Sequence, residues 1–165
     1  MDKARHLSAG ATFLDYDNDD NLDLYLVNYI DCTMEEVLTA ELTQDWKGMT
    51  KVMLGPRGLK GSADVLYRNN GDGTFADITI EASLINIGEL YGRGICGTDL
   101  DLDGDIDLYV ANDGGQNYLY QNNGNETFSE IGLYANAAVA ETGLPQASMG
   151  VDFADMITMG TRTGF

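Results

Sequence analysis

Histidine and tryptophan each occur once in the 165 residues, as His6 and Trp46, and proline and cysteine twice each. Two cysteines, Cys32 and Cys96, cannot build a disulfide scaffold; they are either free thiols or one bridge. One histidine, and no cysteine pair at ligand spacing, argue against zinc. Bases are also scarce, with nine Lys and Arg against 27 Asp and Glu, a formal net charge of −18. Such a field repels phosphate backbones and anionic bilayers, so neither nucleic acid nor a membrane surface is an expected partner. No apolar run approaches the roughly 18 residues needed to cross a bilayer. Residues 1–10 lack the apolar stretch of a signal peptide.

Apolar residues, at 44%, are enough for a buried core, and 20 glycines beside many Asn and Asp point to turns rather than long helices. The acid is concentrated. Ten of the 27 acids fall in residues 15–23 and 99–107, and neither window holds a base. Five carboxylates in nine residues repel one another unless a cation takes up the charge.

The two windows are copies. Asp15-Tyr16-Asp17-Asn18-Asp19-Asp20-Asn21-Leu22-Asp23-Leu24-Tyr25 and Asp99-Leu100-Asp101-Leu102-Asp103-Gly104-Asp105-Ile106-Asp107-Leu108-Tyr109 share Asp at positions 1, 3, 5 and 9, followed by Leu-Tyr, at an offset of 84. A second phrase repeats at an offset of 53: Leu66-Tyr67-Arg68-Asn69-Asn70-Gly71 and Leu119-Tyr120-Gln121-Asn122-Asn123-Gly124, each leading to Thr-Phe. The difference, 84 − 53 = 31, is the size of an insertion in the first copy. Gly10, Gly94 and Gly150 each stand five residues before an Asp, at 15, 99 and 155, so a third copy opens at the end. Its acids at positions 3 and 5 are missing, so it is not expected to bind metal.

Leu22/Leu24/Leu26 and Ile106/Leu108/Val110 alternate with Asp23/Tyr25/Val27 and Asp107/Tyr109/Ala111, the period of two that marks strands. Asn-Asn-Gly before Thr-Phe marks a hairpin, since Asn and Gly tolerate positive φ. Each unit therefore reads as four short antiparallel strands, the make-up of a propeller blade. The expected fold is all-β, a partial β-propeller of two to two and a half blades. Blade 1 spans about 9–80 with an insertion at about 31–61, blade 2 about 93–132, and the start of a third about 148–155. Within the insertion, Thr33-Met34-Glu35-Glu36 has the form of a capping box. Met34, Leu38, Leu42 and Trp46 recur every four residues, predicting an amphipathic helix over 33–47 whose stripe turns inward.

Asp at positions 1, 3, 5 and 9 suits Ca²⁺, which takes six to eight oxygens at roughly 2.3–2.6 Å in irregular geometry. Two sites are expected: Asp15, Asp17, Asp19, Asn21 and Asp23, and Asp99, Asp101, Asp103, Asp105 and Asp107. An EF-hand is excluded, because position 12 is Leu26 or Val110 and the flanks are strands. Asp20 stands at position 6 of the first loop, where the second has Gly104 and left-handed backbone is expected.

Both loops resemble the FG-GAP/VCBS repeats of integrin-α-type propellers. Gly55-Pro56-Arg57-Gly58, the run Asp64–Phe75 and Met149-Gly150-Val151-Asp152-Phe153-Ala154-Asp155 resemble the ASPIC/UnbV branch, relatives of cartilage acidic protein. The resemblance implies a secreted or surface-exposed propeller with calcium in its hairpin loops, working in adhesion or protein–protein contact with a protein or glycan partner. Such propellers close with about seven blades. A two-blade array leaves apolar faces uncovered, so the chain is expected to be a piece of a longer protein or to self-associate. The reading is a binding module and not an enzyme. A segment of a polysaccharide-acting lyase or hydrolase is the alternative.

Overall fold

The computed structural model describes residues 6–39, 43–53, 55–56, 58–84 and 90–154. The period-two segments form two four-stranded antiparallel sheets. In the first, β1 (His6–Leu14), β2 (Asp23–Asp31), β5 (Val65–Asn69) and β6 (Phe75–Asp77) lie side by side in that order. In the second, β7 (Gly92–Thr98), β8 (Asp107–Asn112), β9 (Tyr118–Asn122) and β10 (Phe128–Glu130) repeat the arrangement. Each is an up-and-down meander. The first sheet is interrupted between β2 and β5 by α1 (Met34–Thr39) and a hairpin of β3 (Thr43–Trp46) and β4 (Thr50–Met53). The base of this insertion is held shut. Ile30 bridges to Gly61, the Asp31 N–H donates to the Lys60 carbonyl at 2.9 Å, and Lys60 Nζ pairs with Asp31 at 2.8 Å.

The inserted helix is much shorter than the four-residue periodicity predicts. Its capping box forms, with Glu36 N–H donating to Thr33 Oγ1 at 3.2 Å and Thr33 N–H to Glu36 Oε2. The helix ends at Thr39, and Thr43–Trp46 is strand. Four residues then suffice for a hairpin because Lys47 and Gly48 both take left-handed backbone, at φ 51° and 67°. Thr39 and Thr43 are β-branched, which weakens a helix already near the minimum length. Met34 and Leu38 are 73% and 78% exposed, so α1 caps no sheet face. Leu42, Arg57 and Asp155 lie outside the described residues, as does the side chain of Trp46.

The two sheets bury one core: Leu14, Tyr25, Val27 and Leu66 from the first with Leu108, Val110, Tyr118, Tyr120 and Phe128 from the second. At the repeat offset of 84, Tyr25 and Val27 correspond to Tyr109 and Ala111, not to Leu108 and Val110. Opposite faces therefore meet, and the sheets stack head to tail. The stack continues: Tyr109 donates to the Ala137 carbonyl at 2.9 Å and sets its ring edge-on to Phe153 at 6.5 Å. The recurring glycines explain the close approach. A methyl group on Gly10 would sit 3.2 Å from the Arg93 carbonyl, and one on Gly94 would sit 3.1 Å from Gly150 Cα. A residue without Cβ eases the backbone-to-backbone approach of β1 to β7 at Gly10 and of β7 to the chain at Gly150. Cys32 and Cys96 are free thiols.

Asp64 sits buried at this junction, accepting the Asn28 N–H at 2.8 Å and the Tyr25 hydroxyl at 3.2 Å. Loss of water outweighs those two bonds and pushes its carboxyl up to about 7. The folded chain then holds a proton there that the unfolded chain releases near its ordinary value of 3.8. Stability from this group is greatest at low pH and is lost as pH rises through about 7. In EDTA, the urea midpoint of the wild type should fall between about pH 4 and pH 7 and level off above, and Asp64→Asn should flatten that fall. An unchanged slope in the variant would refute it.

Candidate functional site

Both acidic windows are the loops joining the first two strands of a sheet: β1 to β2 and β7 to β8. Their backbones are held by the same set of carboxylate bonds. Position 1 folds back over the loop: Asp15 accepts the N–H groups of Asp19 and Asp20 at 3.1 and 3.0 Å, and Asp99 those of Asp103 and Gly104 at the same distances. Position 5 accepts the N–H of position 7, Asn21 to Asp19 at 2.8 Å and Asp105 to Asp103 at 2.9 Å. Position 9 is buried in both copies. Asp23 accepts the N–H of Tyr16 at 3.2 Å and of Asn69 at 2.8 Å; Asp107 accepts those of Leu100 at 2.9 Å and Asn122 at 2.8 Å. Each position-9 carboxylate thus ties the loop's start to the third strand of its own sheet.

Left-handed backbone appears at positions 4 and 6 of both loops. Position 6 is Asp20 at φ 67° and Gly104 at 98°, as its Gly/Asp exchange suggests. Position 4 is Asn18 at φ 57° and Leu102 at 64°, which the sequence did not reveal. Asn is at ease there; an exposed Leu is not, having no polar group to bond locally.

The fold gathers one oxygen each from Asp15, Asp17 and Asp19 to within 4.8 Å of one another, and likewise from Asp99, Asp101 and Asp107. Asp23 in the first loop, and Asp103 and Asp105 in the second, stand outside those groups. Asn21 turns its amide to the Asp19 carbonyl at 3.5 Å. Asp17 is the anomaly. Its Oδ1 is buried without a hydrogen-bond donor among the described residues. Burial first, then the charges of Asp23, Asp19 and Asp15, raise its carboxyl to about 6. The second-loop counterpart, Asp101, accepts Gln121 Nε2 at 2.6 Å. At the offset of 53, Gln121 corresponds to Arg68, which instead faces Glu126 at 3.8 Å. Asp23 and Asp107 are also raised, chiefly by burial, whereas Asp19 is lowered, first by its bond with Asn21.

The two loops touch. Asn18 Nδ2 donates to Asp105 Oδ1 at 2.7 Å, and Asn122 Nδ2 donates to the Tyr16 carbonyl at 2.8 Å, while the Tyr16 and Phe128 rings stack at 6.0 Å. By sequence, Asn69 and Asn122 read only as hairpin residues. Their recurrence directly after Leu-Tyr-x was the available signal for a structural role.

Fold and loops together define an all-β repeat protein with paired acidic hairpin loops. Residues 99–156 match the FG-GAP-like repeat family, a β-propeller-type repeat used in protein–protein interaction. The match takes in the second acidic loop, the whole of the second sheet after β7, and the opening of the third copy. No curated protein matches the chain.

Two outcomes follow from the loop geometry. In EDTA, Asp107→Ala should cost about 3–5 kcal/mol, since it strands the buried N–H of Asn122 and the part-buried N–H of Leu100, each in a bond worth about 1.5–3 kcal/mol. Asp103→Ala, exposed, should leave the urea midpoint nearly unchanged; equal losses would show that position 9 has no special role. Leu102→Asn, which copies Asn18, should stabilise by about 1 kcal/mol. A midpoint unchanged or lowered would mean that Leu102 is not strained.

Proposed function

We propose that the chain is a calcium-stabilised segment of a β-propeller of the ASPIC/UnbV type, acting outside the cell as a protein-interaction module, and part of a longer protein. The observation that carries the calcium reading is the buried oxygen of Asp17, which has no donor among the described residues and lies amid the carboxylates of Asp15, Asp19 and Asp23. A carboxylate held without water or donor is costly unless a cation is its partner. Oxygens within 4.8 Å of one another can all reach a single ion at Ca²⁺–oxygen distances. Asp15, Asp17 and Asp19 would hold one ion, and Asp99, Asp101 and Asp107 the other. Calcium would supply positive charge at the point where like charges crowd. Mg²⁺ fits less well, because it demands octahedral geometry and keeps its waters.

An interaction role suits the repeat class, and a catalytic one has no residues to spare. The carboxylates that acid–base chemistry would need are the ones that the cation reading uses. Asp64, the other carboxyl with a strongly raised pKa, is buried between sheets rather than open to a substrate.

Calcium should raise the melting temperature over that in EDTA, by mass action on the folded state. Titration calorimetry should show two equivalents in the wild type and one in either Asp17→Ala or Asp101→Ala. Superimposable melts, or a stoichiometry that neither substitution changes, would overturn the reading.

A further inference from the structure

A groove runs along the seam between the two sheets. Two adjoining hollows of about 370 and 480 Å³ make it up, and Arg68 and Glu126 border both. The first opens over Asp17 and Asp19; the second reaches past Tyr16 to Ala76, Glu81 and Ala82. One wall comes from the first sheet and the other from the β9–β10 hairpin of the second. The groove is therefore complete within this chain. A further repeat would stack on the outer face of a sheet, away from the seam.

Its charge is one-sided. Asp17, Asp19, Asp77, Glu81 and Glu126 line it against a single base, Arg68. Arg68 answers little of this, since it stands 3.8 Å from Glu126, beyond hydrogen-bond reach, and Glu81 has no partner among the described residues. The five acids of the first loop, less the two charges of a Ca²⁺, still leave three negative charges beside it. Tyr16 is the second sign of a ligand. It is 2% exposed, it lines the second hollow, and its hydroxyl has no hydrogen-bond partner among the described residues. Burial first, then the charge of Asp17, push the phenol up to about 12, with Arg68 and Glu126 also acting on it. Glu126 holds left-handed backbone at φ 65°, where the first copy has Gly73 at 86°, so this carboxylate stands on the rim at a conformational cost.

We propose that this groove takes an arginine side chain presented by a partner protein. Charge selects a cation. The spacing of the acids selects its kind. Asp77, Glu81 and Glu126 do not gather their oxygens within 4.8 Å of one another as the loop acids do, so they suit no point ion. A guanidinium spreads its N–H donors over a flat fork and can reach separated acceptors, Glu81, Glu126 and the Tyr16 hydroxyl among them. Its methylene stem would lie along Ala76 and Ala82. This deepens the interaction reading and does not depend on the metal.

Two-dimensional amide NMR on the full chain reads the groove directly. The probe is N-acetylarginine amide, titrated in calcium and separately in EDTA, with N-acetyllysine amide and N-acetylglutamine amide as controls. The expected result is saturable shifts confined to residues 16–19, 68–70, 76–82 and 124–127 in both solutions, weaker with the lysine probe and absent with glutamine. Glu81→Gln and Glu126→Gln, both exposed, should each weaken binding about threefold or more, with circular dichroism unchanged. Tyr16→Phe should keep the ring on Phe128 and still lose affinity. No saturable shift, or binding indifferent to Glu81 and Glu126, would overturn the proposal. Equal binding of the lysine probe would overturn the choice of arginine. Shifts as large at residues 99–107 would show unspecific attraction to acid, and binding in EDTA alone would mean that the probe only replaces an ion in the first loop; either would overturn it. Failure of the calcium reading shows in the melts, and failure of this proposal shows in the shifts.

Discussion

A buried carboxylate at the ninth position of each acidic loop holds the rest in place. Asp23 and Asp107 each spend their two oxygens on backbone N–H groups, one at the loop's second residue and one at the asparagine ending the third strand. Burying a charge this way is tolerable only because both bonds are charge-assisted. The constraint closes the loop into a ring, which brings the carboxylates at positions 1 and 3 into a small volume, with position 5 in the first loop and position 9 in the second. It also aligns the asparagine. Asn122, pinned by its N–H to Asp107, is left with its side-chain amide free to cross the junction to the Tyr16 carbonyl. One interaction thus shapes the acidic site and helps to set one sheet on the next.

The head-to-tail stacking has a second consequence. Because opposite faces meet, every unit needs two different apolar faces, and a strand of such a sheet must be hydrophobic on both sides. That is what β8 shows, with Leu108 and Val110 turned to the first sheet and Tyr109 and Ala111 to the segment that follows. The same rule applies to β2, where Tyr25 and Val27 are buried and Leu24 and Leu26 are only half so. This half-buried apolar face follows from the repeat rule and is no accident of surface composition. The closeness of the stack rests on Gly10 and Gly94, where side chains would hold the backbones apart.

Much of this was legible in the residues. Period-two alternation gave the strands, and the offsets of 84 and 53 gave both sheets and the place of the insertion, because a repeat constrains many positions at once. Position 6 of the loops could be read from the exchange of Gly104 for Asp20. Position 4 could not, since Leu102 carries no sign of a left-handed backbone; the ring closed by Asp107 imposes that conformation on it. The insertion is where the reading failed. Met34, Leu38, Leu42 and Trp46 recur at a helical spacing, but periodicity registers only spacing and is blind to Lys47-Gly48, whose backbone turns the chain into a hairpin. A four-residue recurrence over one short window also has no second copy to check it.

Acidity and topology are linked through the same loops. A net charge of −18 would destabilise a small fold if spread through it, yet here ten acids are confined to two loops at one end of the strands. The loops lie side by side, joined by Asn18 and Asp105, so their repulsion is concentrated at the junction of the two sheets. Asp17 records that stress, with a buried oxygen that no donor among the described residues reaches and a proton held up to about 6. Asp101, in the same loop position, is relieved by Gln121, whereas the first copy has Arg68 there and turns it toward Glu126 of the other sheet. The two loops are therefore alike in backbone and unlike in charge balance. A cation held by the first loop, as proposed, would relieve the contact between sheets as well, and so would couple occupancy of the loop to the integrity of the stack.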